Sequence, residues 1–426
     1  MKPLKQELED RGLLYQCSNE NMWEKFEKWW EKFYCGFDPT ADSLHLWNFI
    51  GFMVAIHIMR RWNSYTALTG GATGMIGDPG WKDSERTFLS EENLDNNQKA
   101  ISNQISWILE TLKNFTDEDY DYWFVNNKDF YKDMWYLDFL REVGKYITIN
   151  VMMSKDTVKK RIEDPSQSIS YTEFSYMLLQ WYDFSKMYKD DAMKLQIWWQ
   201  DQWWNLVTWT EIIRKKYDAE TYALTWPLIT DSTWKKFGKS EWNAIWLDKN
   251  KTSPYEIYQY FVNTADNDIS RYLKMLTLIE TEEIDDLVQK HMMMPELREW
   301  QKILAYEVVE IIHGTKEAET ALKISDFMFG GDNRTEILKW LDSDEIEMFQ
   351  NAMWGFEYDW ENLFETIVKS WLASSNSQAR QAVQSWAINI NEVKISDFNH
   401  NFSKDFINDK VLLIRKGKKN IRIIIK

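Results

Sequence analysis

The sequence predicts an α/β protein built on a parallel sheet, followed by a helical region and a small α+β module. Three observations lead there. Between Phe33 and about Asp248, short apolar runs alternate with longer stretches of helical period, as strand–helix–strand units do. From Thr252-Ser253-Pro254 to about Ile346 the chain is rich in Glu, Lys, Leu and Met, with few breakers. Beyond Trp354-Gly355 a helix-rich piece from Leu363 runs into strongly β-prone segments.

Taken in order, YCGFDPTADSLHLWN (residues 34 to 48) reads as a strand running into the start of a nucleotide-binding helix. SYTALTGG, ITINVMM, KLQIWW and YALTWPLIT read as further short strands. Ligands of such sheets sit beyond the carboxyl ends of the strands, so functional residues should gather there. Ser253-Pro254 is a good helix start, with proline in the first turn. ININ, KVLLIRK and NIRIII should be strands of the last module, with a hairpin turn at Lys416-Gly417-Lys418.

At 426 residues the chain is long enough for two or three domains. Apolar residues make up 44%, and no run approaches the roughly 18 uncharged apolar residues of a membrane helix, so no membrane partner is expected. MKPLKQELEDRGLL lacks the apolar core of a secretory signal, which points to the cytoplasm. Cys17 and Cys35 are too few for a disulfide framework or a structural zinc site. A net charge of −16 argues against general polyanion binding. Residues 410 to 426 nevertheless carry seven basic groups and no acid, which suits either a solvated terminal strand or an RNA-facing edge. Two counts are unusual: 25 tryptophans, and 15 glycines where roughly 7% is customary.

Three motifs carry chemistry. GGATGMIGDP, residues 70 to 79, lets backbone approach a ligand, and Asp78 beside it could bind a cation or an amino group, or merely cap structure. KKFGKS holds Lys236 and Lys239 on a small flexible loop, suited to charge developing on a leaving pyrophosphate, although an exposed basic loop looks the same. In SYMLLQWYD, Tyr176, Gln180 and Asp183 recur at spacings of four and three and share one helix face. By itself that stripe would suit a core or a solvent face as well.

The ordered set PTADSLHLWN, GGATGMIGDP, ISYTEFSYMLLQWYDF, LQIWWQDQWWN, KFGKSE and IWLDKNKTSPYE closely resembles that of bacterial tyrosyl-tRNA synthetases. ASSNSQARQAVQSW and INDKVLLIRKGKK look like the small RNA-binding module that ends those enzymes. The resemblance implies a Rossmann-like catalytic domain over 1–250, an α-helical anticodon-side domain over 251–350 and an S4-like module over 351–426. It implies a cytoplasmic homodimer that activates L-tyrosine with ATP and magnesium and transfers it to tRNA(Tyr), with no protein metal site. Tyr34 and Asp183 would hold the substrate hydroxyl; Asp78, Tyr176 and Gln180 would hold its amino group. Thr40 and His45 would meet the phosphates, Asp201 the ribose, Gln202 the carbonyl region and Lys236 and Lys239 the pyrophosphate, with Asp38 and Asn48 in the same ATP-binding set. Arg380, Arg415, Lys416, Lys418 and Lys419 would face RNA. A catalytically inactive relative that only binds RNA is the alternative.

The pattern departs from the family at glycines. Its first signature runs His, apolar, Gly, His; here His45 and Leu46 are followed by Trp47 and Asn48. Trp62, Trp81, Trp198, Trp199, Trp204, Trp209, Trp234, Trp371 and Trp386 also stand where glycine is expected, whereas Trp203 and Trp246 fall where the family allows tryptophan. One repeated exchange needs one cause, and a UGA codon, glycine in some bacteria and tryptophan in others, would supply it. The literal chain should then show the family fold with an indole in the nucleotide's place.

Overall fold

The computed structural model describes residues 2–77, 89–164, 168–230, 244–291, 293–330, 334–353, 355–357, 362–417 and 420–426. The chain forms two compact units, one of residues 1–252 with 264–304 and the other of 253–263 with 305–426. Among the described residues no helix is long and apolar enough to cross a membrane.

The first unit is organised by six strands: β1 (Gln16–Cys17), β2 (Lys32–Phe37), β3 (Ser64–Thr69), β4 (Tyr122–Asn126), β5 (Leu195–Trp199) and β6 (Tyr222–Trp226). Their spatial order is β1-β6-β5-β2-β3-β4. All neighbours are parallel except the short antiparallel β1 beside β6. Every residue of β3 and of β6 is buried, as expected of parallel strands covered on both faces. Tyr34 on β2 lies level with Thr66 of β3 and Gln196 of β5. The strand order reverses at β2, so a crevice opens beyond the carboxyl ends of β2 and β5, the usual ligand position in such sheets.

Four helices frame that crevice or support it: α1 (Leu46–Met59), α2 (Glu91–Thr116), α3 (Tyr171–Asp191) and α4 (Trp203–Tyr217). α1 is apolar on all sides and almost wholly buried, which fits a helix sandwiched within a core. α3 begins at a capping box, in which Ser170 accepts from the Glu173 amide and Glu173 reaches back to Ser170. The same Glu173 carboxylate takes two bonds from buried Arg161, 2.9 and 3.1 Å long, which fixes where the helix starts.

One local expectation changes, and one strand is unanticipated. ITINVMM is not a strand: Ile149–Met153 is a short helix, because the Thr148 hydroxyl accepts from the Val151 amide and caps it, overriding the β-branched composition. The unanticipated strand is β4, which carries no clean alternation because it is the outer strand and only partly covered.

In the second unit, α5 (Pro254–Val262) starts where expected, at a Ser253–Glu256 capping box with proline at the first position. It packs on α6 (Thr315–Phe329). The unit continues through α7 (Ser343–Met353), α8 (Leu363–Lys369) and α9 (Asn376–Gln384). Its sheet runs β7-β11-β10-β8-β9, with β7 (Phe356–Glu357), β8 (Ile388–Ile390), β9 (Val393–Lys394), β10 (Val411–Lys416) and β11 (Asn420–Ile425). β10 and β11 form the expected hairpin, and Gly417 at its turn has φ +66°, a left-handed value that glycine adopts without penalty. Ile367, Val383, Ile388, Leu412 and Ile424 make the core beneath it.

Candidate tyrosine-binding cleft

Beyond the ends of β2 and β5 lies a cleft of about 360 Å³ counting its open mouth, lined by Tyr34, Asp38, Tyr176, Gln180, Asp183 and Trp198 among others. That is near the lower end for small-molecule sites, which hold roughly 300–1,000 Å³, and suits a single amino acid. Of the five residues expected at the tyrosine, Tyr34, Tyr176, Gln180 and Asp183 come together here; Asp78 lies outside the described residues. The helical periodicity of α3 delivers three of them to one wall.

The floor is polar, buried and connected. Tyr176 donates to Asp38 at 2.7 Å, and the Thr73 hydroxyl donates to the other oxygen of Asp38, also at 2.7 Å. Asn127 donates to Thr73 at 3.1 Å and to Asp183 at 2.9 Å, while its own carbonyl accepts from the Ala72 amide at 2.7 Å. Tyr131 closes the chain, donating to the second oxygen of Asp183 at 3.0 Å. Among the described residues the buried hydroxyl of Tyr34 has no partner. A buried hydroxyl is seldom left so, and a ligand hydroxyl would complete it.

Burial pushes the Asp183 carboxyl up to about 8, and neighbouring Asp38 adds to the rise, against the opposing hydrogen bonds from Asn127 and Tyr131. Burial likewise raises the Tyr34 phenol well above its usual value, with Asp183 contributing. The floor therefore holds one acid that keeps its proton into the neutral range and one hydroxyl awaiting a partner.

The residues expected at ATP are less gathered. Asp38 lines the tyrosine cleft itself. His45 and Asn48 cap the start of α1: the Asn48 side chain accepts from the His45 amide at 3.0 Å, and the His45 ring packs 4.0 Å from Trp246. Thr40 and Asp201 are exposed, and Gln202 accepts from Asn205 at 2.7 Å. Lys236 and Lys239 lie outside the described residues. Between the start of α1 and the end of β5 the indoles of Trp47 and Trp199 stack at 4.4 Å and 25°, and Trp199 leans on Trp226 at 5.1 Å.

In the second unit Arg380 is exposed and lies 5.2 Å over the Phe364 ring. Arg415 pairs with Glu392 at 2.6 Å, and Lys416 donates to the Leu372 carbonyl at 2.9 Å. Lys418 and Lys419 lie outside the described residues. Sequence reasoning did not find Thr73, Asn127 or Tyr131 as parts of the site. Thr73 and Asn127 follow strand ends, as Asp38 does, and that position was the available signal.

Comparison with known proteins decides the family. Residues 31–330 match the family described as tRNA synthetases class I (W and Y), and residues 345–424 match the tyrosine--tRNA ligase SYY-like C-terminal domain. The chain belongs to the tyrosyl-tRNA synthetases. It is 41% identical over 424 residues to the tyrosine--tRNA ligase of Streptococcus mutans, covering 98% of this chain and 99% of that one. To the Streptococcus pneumoniae enzyme it is 40% identical over 423 residues, 98% of each. Among solved structures, a C-terminally truncated mitochondrial tyrosyl-tRNA synthetase from Aspergillus nidulans superimposes with a TM-score of 0.68 at 30% identity, over 75% of this chain and 92% of that one. An Archaeoglobus fulgidus tyrosyl-tRNA synthetase at 15% identity and TM-score 0.54 shares the fold.

Proposed function

We propose that this protein binds L-tyrosine with its ring directed at Tyr34 and Asp183, activates it with ATP and esterifies it to tRNA(Tyr). One observation carries the reading: Tyr34, Asp38, Tyr176, Gln180 and Asp183 line a single cleft at the point where the strand order reverses. A phenol placed there meets an unpartnered hydroxyl and a carboxyl able to accept or donate. Tyr176 and Gln180, with Asp78, are the groups for the substrate's ammonium.

In the first step the tyrosine carboxylate attacks the α-phosphorus of ATP, the bond to the bridging oxygen breaks, and pyrophosphate leaves. A terminal hydroxyl of tRNA then attacks the activated carbonyl and releases AMP. No side-chain nucleophile is needed, so the protein's contribution is position and charge. His45, Thr40, Lys236 and Lys239 are assigned to the phosphates, Asp201 to the ribose and Gln202 to the carbonyl. Magnesium would arrive on the ATP phosphates, where it offsets their charge.

The three modules 1–250, 251–350 and 351–426 would serve catalysis, the anticodon side and RNA binding. A homodimer is supported by the outer strand β4 and the segment after it, which expose the large apolar side chains of Trp123, Trp135, Tyr136 and Leu137. Free Cys17 and Cys35 suit the reducing cytoplasm, where tRNA is charged.

Equilibrium dialysis tests the substrate. Tyrosine should bind, and phenylalanine should bind at least about tenfold more weakly because it leaves buried polar groups unpaired. Equal binding of the two would overturn the assignment.

A further inference from the structure

The backbone of this protein asks for glycine at places where the sequence prints tryptophan. Trp371 follows α8, with Ser370 as its C-cap. The Trp371 amide donates to the Val368 carbonyl at 2.9 Å and the Leu372 amide to Ile367 at 3.1 Å. Trp386 follows α9 in the same way, with bonds from Trp386 to Val383 at 3.0 Å and from Ala387 to Ala382 at 2.9 Å. Each is a complete Schellman ending, a motif whose pivotal residue is left-handed and usually glycine. Trp371 has φ +59° and Trp386 +60°, and Trp62, just after α1, has +65°. Among the described residues the other left-handed non-glycine positions hold Asp, Asn, Ala, Arg and Glu, and tryptophan is the one large aromatic found there. These three indoles also gain little from burial, being 80% (Trp62), 87% (Trp371) and 55% (Trp386) exposed.

Inside the protein the fault has the opposite form. Trp209, on α4, is completely buried, and among the described residues its indole N–H has no partner. Among the described residues the buried indoles of Trp23, Trp181 and Trp226 lack a partner as well, so this feature does not by itself single out Trp209. At the crevice, Trp198 lies 3.5 Å from where a Cβ on Gly36 would stand, and Trp47 and Trp199 fill the space between α1 and β5 with stacked rings. Composition agrees with the geometry. A chain of 426 residues at the customary 7% would hold about 30 glycines and this one holds 15, against 25 tryptophans.

We infer that positions 47, 62, 198, 199, 204, 209, 371 and 386 are glycine in the protein as its own cell makes it, their codons being UGA. The helix endings then adopt their left-handed turn without strain. The indole stack vanishes, leaving a backbone-lined slot between the start of α1 and the end of β5, continuous with the crevice. On the functional reading above, that slot takes the planar base and ribose of ATP. At 62, 371 and 386 the inference rests on backbone geometry; at 47, 198, 199, 204 and 209 it rests on the family's glycine pattern and on composition; neither needs the functional reading.

Tryptic peptides of the protein purified from its native source decide it by mass. Leu195 to Arg214 should show glycine at 198, 199, 204 and 209 with tryptophan kept at 203, and Ser370 to Arg380 should show glycine at 371. Tryptophan masses at 198, 199 and 371 would overturn the inference. Sequencing of the gene adds an independent readout: UGA is expected at these codons and UGG at 203 and 246, and UGG at 198, 199 and 371 would overturn it equally. Glycine masses in a protein that fails to bind tyrosine would leave this inference standing and remove the functional reading.

Discussion

Asp183 provides a prediction whose size and sign follow from its surroundings. Its carboxyl is fully enclosed and sits at about 8 in the folded protein, whereas an unfolded chain gives about 3.9. Between those values the folded protein keeps a proton that the unfolded chain has lost. The neutral group therefore contributes stability that is complete below about pH 4 and disappears as pH rises through 8. The slope in that window is about 1.4 kcal/mol per pH unit. Replacement Asp183→Asn removes the titration while retaining a planar polar group able to face Asn127 and Tyr131. Equilibrium urea unfolding of the transition belonging to the unit with the six-stranded sheet, run on parent and variant at pH 5, 6 and 7, isolates the term. The parent's stability relative to the variant should fall by roughly 3 kcal/mol from pH 5 to pH 7. A difference that stays flat across that range would refute the claim that burial controls this carboxyl.

Tyr34→Phe removes a buried hydroxyl that lacks a partner, so the free protein should lose no stability, while the preference for tyrosine over phenylalanine in equilibrium dialysis should fall about tenfold. Asn127→Ala takes one donor from Asp183 and the bridge to Thr73; tyrosine affinity should drop by about 1–2 kcal/mol, read by calorimetric titration. Trp371→Gly relieves a left-handed tryptophan, worth about 1–2 kcal/mol, against about 0.5–1 kcal/mol of added chain entropy, so urea unfolding should show a small net gain. Trp47→Gly combined with Trp199→Gly should raise ATP affinity at least tenfold over the literal chain, measured by equilibrium dialysis of ATP, since the stacked rings no longer fill the slot.

Much of this was legible in the residues, for identifiable reasons. Parallel strands buried on both faces print as apolar runs, and SYTALT, LQIWW and YALTW each became one. Capping chemistry is local, so Ser253-Pro254 announced α5, and the 3.6-residue period of α3 foretold that Tyr176, Gln180 and Asp183 would share a wall. What was illegible depended on partners distant in sequence. β4 is an outer strand without alternation. ITINVMM as a strand is instead a misreading of a local signal, since its own Thr148 caps the short helix. Asn127 and Tyr131 join the site only because β4 delivers its end beside β3 and Asp183 comes down on α3, and no spacing records that meeting. The basic tail shows the same limit, since its charge count did not reveal that Arg415 is already paired with Glu392.

The central claim is that this cleft activates tyrosine. The most direct test is tyrosine-dependent exchange of labelled pyrophosphate into ATP by the chain carrying glycine at 47, 62, 198, 199, 204, 209, 371 and 386, with and without Asp183→Ala. Exchange that requires tyrosine, is not supported by phenylalanine and is lost in the Asp183 variant is the result the account predicts. A folded, glycine-bearing protein that binds ATP yet shows no exchange would contradict it.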